Sequence, residues 1–76
     1  MTPKEEKAIF NKIGTRITEL RKAAGYSSQE DFAYDASIPR AQYGRYEKGS
    51  NMTLTSIIRI IKFHKITLEE FFKGIK

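Results

Sequence analysis

The side chains best equipped for recognition chemistry lie close together, in residues 39–48, where Arg40, Gln42, Arg45 and Lys48 surround Ala41, Tyr43 and Tyr46. An arginine guanidinium can donate two parallel hydrogen bonds to the O6 and N7 acceptors of guanine, the commonest specific contact in the DNA major groove. Arg40 and Arg45 stand five residues apart, about 140° around a helix, so both face one groove only by straddling its exposed side. Ala41 between them offers apolar contact alone, for example to a thymine methyl. Gln42 and Lys48 suit phosphate oxygens or water. Tyr43 and Tyr46, three apart on one face, are expected in the core and not as base-stacking platforms.

Other chemistries find less support. The chain has no cysteine, hence neither a thiolate nucleophile nor a disulfide nor a thiolate zinc site, and its single histidine, His64, has no second histidine to pair with on a metal. No glycine-rich phosphate loop or histidine triad is present, so an enzyme is not expected, nor a cofactor or metal. Fourteen lysines and arginines against nine acidic residues give a net charge of +5, which favours an anionic partner through counterion release. No apolar run approaches the ~18 residues that span a bilayer, which argues against a membrane partner and leaves the cytoplasm as the expected location.

The elements that must position residues 39–48 can be read from spacing. Seventy-six residues hold one compact domain, 1–76, because two cores would each be too small to stabilise themselves. Ile9, Ile13, Ile17, Leu20 and Ala24 recur at three-four spacing and predict a first amphipathic helix, opened by Thr2, Pro3 and Glu5 and ended by Gly25. Gly14 within it signals a kink or a close packing contact. Ser28 opens a short second helix carrying Phe32, Ala33 and Ala36 inward. Pro39 suits the first position of a third helix running to about Lys48. Thr53 precedes a fourth, with Leu54, Ile57, Ile58 and Ile61 inward, and the Thr67–Glu70 pair opens a fifth with Leu68, Phe71 and Phe72. No segment alternates as a strand. The expected fold is all-α, with five helices. Lys12, Arg16, Lys22 and Arg59 read as surface charges.

The stretches IGTRITELRKAAG, SQEDFA, SIPRAQYGRYEKG and LTSIIRIIKFHKITLEEFF follow one another as in a known framework. Over about residues 13–72 the chain resembles the Cro/lambda-repressor-like (XRE) helix-turn-helix family, in which the second helix of the pair enters the major groove. The resemblance implies a lambda-repressor-like DNA-binding domain with a recognition helix at about residues 39–48. It implies that Gln29 clamps a phosphate, that Arg40, Ala41 and Arg45 reach base edges, and that Asn51 contacts DNA from the following loop. It also implies a buried salt bridge between Arg21 and Glu47. The chain departs from the family in three places: one additional residue among Tyr26, Ser27 and Ser28, Ser37 where the turn often has glycine, and Met52 where a proline often stands.

Taken together, these readings predict a sequence-specific, repressor-like regulator of transcription that binds double-stranded DNA as a homodimer. The alternative is an antitoxin that binds its own operator and a toxin protein. The crowding of Phe71, Phe72 and Ile75 places the expected dimer contact at the C-terminal end.

Overall fold

The computed structural model describes residues 1–75, which form five helices and no strand: α1 (Pro3–Ala23), α2 (Gln29–Asp35), α3 (Arg40–Glu47), α4 (Leu54–Phe63) and α5 (Leu68–Lys73). Four of the five starts are set by side-chain caps. Thr2, Ser28, Thr53 and Thr67 each accept from the backbone N–H three residues on, and Glu5 and Glu70 return the bond to complete capping boxes. Pro39, expected inside α3, is instead its N-cap at φ −55° and ψ 133°, because an extended ψ there turns the chain from α2 into α3.

Every helix contributes one side chain with no solvent exposure: Ile17, Phe32, Tyr43, Ile60 and Phe71 meet at the centre. Around them Phe32 packs edge-on to Tyr26 and Phe63 at 5.4 and 4.8 Å, and His64 stacks on Phe32 at 5.2 Å. The additional residue before α2 is absorbed here. Tyr26 turns its ring into this cluster and donates its hydroxyl to Asp35 at 2.6 Å, while Ser28 caps the helix. Met52, standing in the proline position, packs against the core.

Four expectations of burial need correction, the first at Ala24, which ends the apolar stripe of α1 and is exposed as the C-cap of that helix. Ile9 is exposed and Phe10 packs on the core in its place, since this end of α1 runs past the body of the domain and only one flank meets it. Leu54 is exposed in the first turn of α4, whose inward face is centred on Ile57, Ile60 and Ile61. Leu68, expected inward at the start of α5, is 54% exposed, and Phe71 alone fills the core from that helix.

Gly14 marks a close approach and not a kink. A Cβ there would lie 2.6 Å from the Glu47 carbonyl oxygen and 2.8 Å from that of Tyr46, so α1 rests directly on the last turn of α3. Arg16, read as a surface charge, is structural. Its Nε donates to the Phe71 carbonyl at 2.9 Å and its Nη2 to that of Glu70 at 2.8 Å, so a cation meets the C-terminal half of α5.

Candidate nucleic-acid interface

α2 and α3 are joined by a turn whose geometry is set by hydrogen bonds to the end of α2. Ser37 adopts φ 57°, its N–H donates to Tyr34 at 3.2 Å, and the Ile38 N–H donates to Ala33 at 2.9 Å. This closes α2 as a Schellman motif and drives Ile38 into the core beside the start of α3. Serine performs here a task usually given to glycine.

The burial of α3 is one-sided. Tyr43, Gly44 and Tyr46 face inward, whereas Arg40, Ala41, Arg45 and Lys48 lie exposed along the opposite side. Gln42 is half-buried and donates to the Tyr46 hydroxyl, which is 2.9 Å from Ser56 Oγ on α4. Gly44 leaves room for two polar side chains on the same flank: a Cβ at this position would lie 3.2 Å from Arg40 Nη1 and 3.3 Å from Gln29 Oε1. Asn51 is exposed in the loop after α3.

Glu47, the single carboxylate of α3, is turned away from that face. Arg21, 5% exposed, donates from Nε to Oε2 at 2.7 Å and from Nη2 to Oε1 at 3.4 Å, a forked pair across α1 and α3. Its remaining Nη1 donates to the Tyr26 carbonyl at 2.8 Å, so the loop before α2 is fastened to the same guanidinium. Burial works to raise the Glu47 carboxyl, but the hydrogen bonds led by Arg21 outweigh it and hold the group below the usual carboxylate range. The Tyr43 hydroxyl, buried beside this pair without a hydrogen-bond partner, is pushed up by burial.

Gln29 is drawn into this network. Its Nε2 donates to Glu47 Oε1 at 2.8 Å, so the side chain is fixed from α3 and does not stand free at the start of α2. Its backbone N–H, at the first position of α2, has no partner four residues back within the helix.

A second group of contacts escaped sequence reading. Lys7, Asn11, Gly14, Thr18 and Arg21 follow one another along α1 at spacings of four, three, four and three, a polar stripe beside the apolar one. Lys7 Nζ donates to the Gly49 carbonyl at 3.1 Å, Asn11 packs on Gly49, Gly14 meets Tyr46 and Glu47, and Thr18 and Arg21 flank the Glu47 carboxylate. The three-four period was available in the sequence. Its members are polar or small, so the repeat carries no hydrophobic signature.

Comparison with known proteins places this geometry in a family. A helix-turn-helix family model matches residues 17–71, which takes in both helices of the pair and most of the surrounding framework. Among solved structures, the chain is similar to the restriction-modification controller protein C.AhdI from Aeromonas hydrophila, at 35% identity and a TM-score of 0.75, over 86% of this chain and 98% of that one. No curated protein sequence matches the chain. The five-helix frame, the α2–turn–α3 pair and the family match over residues 17–71 together show that the chain belongs to the XRE-like helix-turn-helix family.

Proposed function

We propose that this DNA-binding regulator reads a short operator in double-stranded DNA by laying the exposed side of α3 in the major groove. One observation carries the reading: the outward face of α3 bears Arg40, Arg45 and Lys48 with no free carboxylate, because Glu47 is turned inward and neutralised by Arg21. A helix whose solvent side is uniformly cationic suits a polyanion, and its two arginines suit guanine edges.

In this reading Arg40 and Arg45 are the base readers and Ala41 lets the helix approach a thymine methyl. Lys48, Gln42 and Asn51 hold sugar-phosphate, and so does Gln29, through its backbone N–H while its side chain braces Glu47. The regulator works as a homodimer on two related half-sites. Phe72 on α5 is 44% exposed and Leu68 is 54% exposed, an apolar pair that a two-fold partner would cover.

A narrower reading is favoured by the likeness to a restriction-modification controller protein: control of the genes of such a system, ahead of the antitoxin alternative, which would add a toxin protein as partner. Selection of bound sites from random duplex DNA tests binding and yields the half-site spacing. Arg45→Ala is then expected to weaken the selected site by ~1–3 kcal/mol and to relax preference at one base pair, with Arg40→Ala acting at another. Equal loss on every sequence would make either arginine a phosphate contact, and failure to enrich any duplex would overturn the assignment.

A further inference from the structure

The first turns of α1 precede the part of the chain that matches the family model, residues 17–71, yet they are built against the loop that follows α3. Gly49 takes φ +83°, its N–H donates to Tyr46 at 3.1 Å, and the Ser50 N–H donates to Arg45 at 3.0 Å, which turns the chain sharply out of α3. A Cβ on Gly49 would run into Asn11, coming within 2.9 Å of its Cα, so α1 and this loop touch backbone to backbone. The Gly49 carbonyl, left without a helical partner at the end of α3, is bonded instead by Lys7 Nζ at 3.1 Å, and the same hollow is lined by Phe10, Ser50 and Asn51.

We infer that Lys7 and Asn11 are positioning residues for DNA recognition: the early turns of α1 brace the Gly49–Asn51 loop and thereby set where Asn51 meets the nucleic acid. The reasons are geometric. A loop of three residues between α3 and the approach to α4 has few contacts of its own. Here it is fixed from one side by the Schellman turn and from the other by a cation at the C-terminal pole of α3, where positive charge is favoured. Lys7 has three donors, and one suffices for the carbonyl. Asn11 acts by shape, leaving space for a glycine and nothing larger.

This inference rests on the DNA-binding reading, and the two can fail separately. Affinities for the selected duplex are measured for the wild type, Lys7→Met, Lys7→Arg, Asn51→Ala and the Lys7→Met/Asn51→Ala double variant, alongside hydrogen exchange of the Ser50 amide in the free protein. Lys7→Met is expected to weaken binding about threefold to tenfold, the range for loss of one hydrogen bond, and to speed exchange at Ser50. Lys7→Arg should keep both near wild type. In the Asn51→Ala background the effect of Lys7→Met should largely vanish, because the loop then has no contact left to position. Additive losses, with a shallower salt dependence, would make Lys7 a direct phosphate ligand and overturn the brace. Unchanged affinity in Lys7→Met would overturn it too. Wild-type protein that binds no duplex would instead reject the DNA reading itself, and the Ser50 exchange rates would still report whether Lys7 holds the loop.

Discussion

Two charged side chains, Arg21 and Glu47, tie α1, α3 and, through Tyr26, the loop before α2 to one another. Removing one member leaves a buried charge with no counter-ion, so Arg21→Met or Glu47→Leu alone should cost ~3–5 kcal/mol, a large share of a domain's total. The double variant should recover part of that loss, since neither charge then remains. Urea melts of the three proteins check this. The pair also sets an acid limit. Glu47 titrates below the usual carboxylate range in the folded state, so its contribution is fully present above the unfolded-state value and is lost as pH falls through the folded one.

His64 gives a separate pH dependence at higher values. Burial, with the charge of Arg16 adding to it, lowers its pKa, and its Nε2 is buried without a hydrogen-bond partner. The fold therefore favours the neutral ring over the charged one. As pH falls below the ordinary histidine value of about 6.5, the unfolded chain takes up a proton that the folded chain resists, and stability declines until the folded value is passed. Stability of the wild type should fall between about pH 7.5 and 5.5. His64→Phe, which keeps a flat ring against Phe32, should be less sensitive over the same interval in paired urea melts.

At the scale of elements, four of the five helices end alike but not with the same residue. α1 and α3 use Gly25 and Gly49 in the left-handed region, whereas α2 and α4 use Ser37 and Lys65, each at φ 57°. A left-handed backbone costs a non-glycine residue ~1–2 kcal/mol, and glycine returns part of that as extra freedom in the unfolded chain. Ser37→Gly should therefore stabilise the helix-turn-helix by ~0.5–1 kcal/mol, raising Tm by a few degrees in a domain of this length. A decrease in Tm on thermal denaturation would mean that the Ser37 side chain contributes more than its backbone costs.

For the molecule as a whole, the principal extents of 35, 26 and 21 Å make one domain about as long as a turn of DNA, so two copies can meet half-sites about 34–36 Å apart. The apolar pair Leu68 and Phe72 on α5 is where we expect them to meet, with Phe71 committed to the monomer core. Phe72→Glu should then shift the free protein from dimer to monomer in sedimentation equilibrium at micromolar concentration while leaving the helical content intact. A wild type that is monomeric throughout that range, or a Phe72→Glu protein that unfolds, would reject this interface.

By itself the sequence determined what depends on near neighbours along the chain. The caps at Thr2, Ser28, Thr53 and Thr67, the glycine stop at Gly25 and the burial of Tyr43 and Tyr46 all follow from spacings of three or four residues, which a helix converts directly into contact. The Arg40, Ala41 and Arg45 face was legible for the same reason, since burying Tyr43 and Tyr46 leaves it outward. The partnership of Arg21 with Glu47 came only through family resemblance, because a separation of twenty-six residues leaves no local signal. Tertiary structure alone decided the rest. Gln29 is captured by Glu47, Arg16 caps α5, Ile9 and Leu54 fall outside the core, and Lys7 reaches a carbonyl forty-two residues away. Each of these depends on where one helix crosses another, and periodicity within a helix states which face is apolar without stating how far along its length a neighbour will cover it.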